Sequence, residues 1–126
     1  MSLWSALALP GYAVIAAFQL SLALGAPWGV AAYGGGHPGV LPRRLRATSG
    51  LAVSFWAAAG AVVAARAGVW DAWWSPTVTN VVVWALVGLE VVAVVLNAAS
   101  RSRWERFGWA PFAAALAILT AIVARG

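Results

Sequence analysis

The chain has 126 residues, of which 63% are hydrophobic and only 9% charged. A soluble domain of this length carries charge on roughly 25% of its positions, so too few charges exist here to cover a water-facing surface, and the length suits a single domain. The net charge of +5 comes from arginine alone, with no lysine and no cysteine, which excludes disulfides, thiol catalysis and thiolate metal sites.

A helix needs about 20 apolar residues to cross a hydrocarbon core of roughly 30 Å. The first stretch of that kind covers about residues 4–24, "WSALALPGYAVIAAFQLSLAL". It contains Pro10 and Gly11, tolerable where neighbouring helices satisfy the freed carbonyl. No Lys or Arg precedes Arg43, so the run lacks the positive n-region of a signal peptide and reads as a retained membrane helix.

The connection of about residues 25–46, "GAPWGVAAYGGGHPGVLPRRLR", is rich in Gly and Pro and ends on Arg43, Arg44 and Arg46. Three consecutive glycines permit positive φ, which lets such a loop fold back under a bundle. It lacks the Lys-Ser/Thr ending of a phosphate-cradling loop. His37 is the only imidazole of the chain. Nucleophilic catalysis would set a serine and an acid beside it, and no spacing marks such a triad. The sequence therefore calls for no catalytic residue, no metal site and no cofactor. His37 stands as a turn residue or a ligand contact.

The second span covers about residues 47–68 and the third about 77–98, joined by "VWDAWWSP". The third is valine-rich, but it lacks the alternation of a membrane strand and is twice too long for one. After "ASRSRWERF" the fourth span covers about residues 108–125. The predicted fold is all-α, a bundle of four transmembrane helices in one membrane domain. Small residues suited to close helix packing recur at Gly50, Ser54 and Ala58, at Gly60, Ala64 and Gly68, and at Ala113, Ala117 and Ala121. They mark the second and fourth helices as central packers, facing either the bundle or a second copy in a homo-oligomer.

Arginine placement predicts orientation. Arg43, Arg44 and Arg46 lie in the first connection and Arg101, Arg103 and Arg106 in the third, against Arg66 and Arg125 on the other side. The positive-inside rule puts the two basic connections in the cytoplasm and both termini outside. The basic balance serves topology and contact with anionic lipid; nucleic acid is not an expected partner. Tryptophans 4, 28, 70, 73, 74, 104 and 109 fall near span ends, as interface anchors do.

Glu90 is the one acid inside a span. An ionised carboxylate at the bilayer centre costs roughly 2.5–3.5 kcal/mol on insertion scales. It becomes tolerable either as a neutral carboxyl that donates a hydrogen bond or as a carboxylate beside an arginine. Counting helical rise from the span ends sets Gln19, Ser54 and Glu90 at one depth in the cytoplasmic half. Asn97, two turns beyond Glu90, continues its face. These four residues, with His37, are the candidate ligand- or proton-binding positions.

"LSLALGAPWG", "GGGHPGVLPRRLR" and "NAASRSRWERFGWAP" resemble the corresponding stretches of a family of small uncharacterised four-helix membrane proteins, common in actinobacteria and seen also in bacilli. The resemblance spans nearly the whole chain. It implies this topology and a bacterial plasma (inner) membrane; it carries no activity and assigns no residue a role. Three functions fit: a structural or accessory membrane protein built around a polar layer at Glu90, a proton-coupled small-molecule transporter or channel-like protein using Glu90, or a membrane ligand-binding protein with a pocket between the first and third helices.

Overall fold

The computed structural model describes all 126 residues. Four helices, α1 (Leu3–Ala23), α2 (Arg43–Arg66), α3 (Pro76–Ala98) and α4 (Ala110–Arg125), are each long and apolar enough to cross a membrane once the π-helical turn Glu105–Trp109 is counted with α4. There is no strand. The short 3₁₀ turns Gly29–Ala31 and Tyr33–Gly35 lie in the first connection.

Local chemistry sets the ends. Ser2 accepts a hydrogen bond from the Ser5 amide and Ser75 from the Val78 amide, so both parallel-running helices start on a serine cap. Pro76 then occupies the first helical position of α3, where its missing N–H costs nothing. At the other ends, Gly25 and Gly68 take φ of +101° and +79°. Each closes a Schellman motif: Ala26 donates to the Ser21 carbonyl and Gly25 to Leu22, just as Val69 donates to Ala64 and Gly68 to Ala65. α2 begins at Arg43, earlier than hydropathy alone places it, because Pro42 caps an arginine turn that is helical but not apolar. Pro10 does not interrupt α1.

In sequence order the helices circle the bundle, with α1 on α2, α2 on α3, α3 on α4 and α4 back on α1. The core holds Tyr12, Ala59, Val63, Val83, Leu86, Leu116 and Val123. α4 is the most enclosed helix, and its Ala113 and Ala117 are buried as the small-residue stripe requires. On α2 only one stripe faces inward: a Cβ on Gly60 would lie 3.1 Å from that of Tyr12. Of the stripe Gly50, Ser54 and Ala58, Ser54 and Ala58 are exposed on the outer face of α2 and do not pack within this bundle, while a Cβ on Gly50 would lie 4.0 Å from that of Ala23. A helix with two small faces presents only one to a bundle of four.

Candidate functional site

Glu90 is 1% exposed. The Tyr12 hydroxyl, on α1, donates to its Oε1 at 2.5 Å. The Thr120 hydroxyl, on α4, lies 2.8 Å from the Tyr12 oxygen and 3.4 Å from the same Glu90 oxygen. With the phenol proton committed to Glu90, Thr120 donates to Tyr12. Three helices are thus joined by hydroxyl bonds, and no arginine takes part. Arg46 instead donates to the Ala23 carbonyl at the end of α1, and Arg66 to the Ala124 carbonyl at the end of α4. The other oxygen of Glu90, Oε2, is buried without a hydrogen-bond partner.

Beside this carboxyl lies a cavity of about 330 Å³. Ile15, Phe18 and Gln19 of α1 face it, with Glu90, Ala93, Leu96 and Asn97 of α3. Trp109 and the α4 residues Phe112, Ala113 and Leu116 complete the helical wall, and Trp56 enters from α2. The remaining wall is Ala31, Ala32 and Tyr33 of the glycine-rich connection together with Glu105.

That connection is held in place by the residues leading into α4. Glu105 Oε1 accepts from the Gly34 amide at 2.9 Å and from the Ser100 hydroxyl at 2.6 Å. Ser102 donates to the Val30 carbonyl at 2.6 Å. Tyr33 pairs with Ser49 of α2 at 2.8 Å. The fold-back needs left-handed backbone at Tyr33, Gly34 and Gly35, with φ of +49°, +75° and +75°; two of the three are glycine, for which that region carries no steric cost. Gly29 is needed for closeness, since a Cβ there would sit 1.9 Å from the His37 carbonyl oxygen.

The structure brings together three of the five candidate positions. Gln19, Glu90 and Asn97 all line the cavity. Gln19 does not bond Glu90; its Oε1 is buried and unpartnered. Asn97 spends its amide on the Ala93 carbonyl at 2.8 Å. Ser54 faces outward and is not part of this layer, and His37 is exposed in the loop. Tyr12 and Thr120 are the partners that sequence reasoning missed. Counting depth from span ends compares Cα levels, whereas a phenol carries its hydroxyl to the far side of the ring. The available signal was the helical face: Tyr12 lies two turns before Gln19, and Thr120 stands out as the one hydroxyl inside α4.

Trp109, at the start of α4, also contributes to the cavity wall. It stacks at a tilt on Phe18, 4.7 Å between centroids, and edge-on to Phe112 at 5.3 Å, within the cavity wall. Trp109 ends the π turn, whose wider hydrogen-bonded ring rotates the side chains that follow relative to a regular α-helix. A larger hollow of about 670 Å³ opens at the opposite end of the bundle, among Arg66, Trp70, Asp71, Trp74 and Arg125. It is distant from Glu90 in the chain's layout and shares no residue with the first cavity. No family model matches this chain, and neither do the curated proteins or solved structures compared with it.

Proposed function

We propose that the protein is a multi-pass component of a bacterial plasma membrane, with both termini outside, that holds a small ligand in the cavity beside Glu90. The observation that carries this reading is a cavity of about 330 Å³ whose wall includes a buried carboxyl with one unpartnered oxygen. Buried polar atoms left without partners are uncommon and costly, and an intramembrane acid is a functional candidate by default. The volume lies at the low end of the range for small-molecule sites, roughly 300–1,000 Å³. A ligand there would meet α1, α3 and α4 together.

A structural role for the same cluster has its own support, because Tyr12, Glu90 and Thr120 tie three helices. That role accounts for Oε1. It gives no reason for the unfilled space or for the unpartnered Oε2. The two readings separate on an Ala93→Phe variant, which adds bulk to the cavity and leaves Tyr12, Glu90 and Thr120 themselves unchanged. Screening aromatic and amine fragments by saturation-transfer NMR on protein in lipid nanodiscs is expected to find binders that this variant loses. If no fragment binds the wild type, or if Ala93→Phe binds equally well, the ligand-binding reading is wrong and the structural one stands.

A further inference from the structure

We infer that the ligand is a small organic cation, a quaternary or protonated amine with an apolar body; this rests on the ligand-binding reading above. The argument is the distribution of charge. The chain has eight arginines and three acids. Two of those three acids, Glu90 and Glu105, line the cavity, and none of the arginines does. The third acid, Asp71, lies in the other hollow with Arg66 and Arg125. In a chain of net charge +5, the only charged residues lining this cavity are therefore acidic.

The rest of the wall suits the body of such a ligand. Phe18, Tyr33, Trp56, Trp109 and Phe112 all face the cavity. Aromatic faces attract ammonium groups through the negative face of the ring quadrupole. Gln19 adds a second acceptor oxygen without a partner. An anion would find no cation in this wall. A hard metal ion takes six or more oxygen ligands or keeps its water, which a mostly aromatic and aliphatic lining does not supply. A neutral apolar guest would leave the acidic side chains of this wall without a counter-charge, whereas an ammonium group supplies one and packs its apolar body on the aromatic rings.

The test compares two molecules of one shape, phenyltrimethylammonium and its uncharged isostere tert-butylbenzene. Both are titrated by saturation-transfer NMR into protein in lipid nanodiscs, with empty nanodiscs subtracted. The expected result is that the cation binds the wild type at least about tenfold more tightly than the isostere. Glu90→Gln should weaken the cation about thirtyfold or more, the usual consequence of removing one side of an enclosed charge pair, and leave the isostere unchanged. Equal binding of both probes to the wild type overturns the choice of a cation and leaves the ligand-binding reading intact; this comparison needs no variant to fold. Failure of both probes and of all the amine fragments to bind overturns the choice of ligand and the reading beneath it.

Discussion

The Tyr12 hydroxyl reaches Glu90 Oε1 across the diagonal of the bundle, between two helices whose backbones otherwise pack on their neighbours and not on each other. That bond is the tie between α1 and α3, and the cavity occupies the space beside it.

Removing that donor should be expensive. Tyr12→Phe leaves Glu90 Oε1 with only the long contact to Thr120, and a buried acceptor without its donor costs about 1–3 kcal/mol. Thr120→Val should cost less, because its stronger bond is to Tyr12. Unfolding in detergent measures both. The double variant should fall short of the sum of the two, since the groups share one network.

Glu105→Ala should release the glycine-rich connection while leaving the four helices in place. Its carboxylate is the acceptor for the Gly34 amide and for the Ser100 hydroxyl. Hydrogen exchange at Gly34 should accelerate in this variant and return toward the wild-type rate in Glu105→Gln, which keeps an acceptor oxygen. Unchanged exchange at Gly34 in Glu105→Ala would remove Glu105 from its place as the anchor.

Gly29→Ala tests closeness of backbone, independent of φ. The added methyl would meet the carbonyl of His37 at 1.9 Å and that of Gly39 at 2.7 Å, so the turn must open. Forced overpacking costs typically 1–3 kcal/mol. The expected signature is protease cleavage within residues 29–39 at concentrations that leave the wild type intact.

Ser54→Leu should be nearly silent, within about 0.5 kcal/mol in unfolding measurements, because the side chain is exposed on the outer face of α2. A large destabilisation would return Ser54 to a polar layer with Glu90.

Orientation has a direct measurement. Trp73 is 87% exposed, and Arg103 is exposed at the opposite end of the bundle. In intact cells, Trp73→Cys should react with a membrane-impermeant thiol reagent and Arg103→Cys should not. The reverse pattern would invert the topology.

Number and extent of the helices were legible in the sequence because apolar length carries that information directly. The ends drifted where a helical turn is not apolar, as at Arg43–Arg46, or where the helix changes pitch, as at Glu105–Trp109. Glu90 was legible as the point of interest because it is the single acid among valines and leucines. Its partners were not. Hydropathy places residues at a depth, but the rotation of each helix about its axis decides which side chains meet. That rotation set Ser54 outward, and Tyr12 and Thr120 inward. The docking of Gly34 on Glu105 joins residues 71 positions apart, and no local pattern announces a contact of that range.

The clasp between the glycine-rich connection and the start of α4 also imposes an order in time. Residues 25–42 leave the ribosome long before Ser100, Ser102 and Glu105 exist. Until the second hairpin has been made, the Gly34 amide and the Val30 carbonyl lack the partners they have in the finished fold. The two hairpins can each form from near neighbours in the chain, where closing the connecting segment costs little. The part of the cavity wall contributed by Glu105, Trp109 and α4 is added last, by the latest-made partners of the first loop, so a nascent chain halted before residue 100 carries that loop unanchored and lacks that side of the cavity.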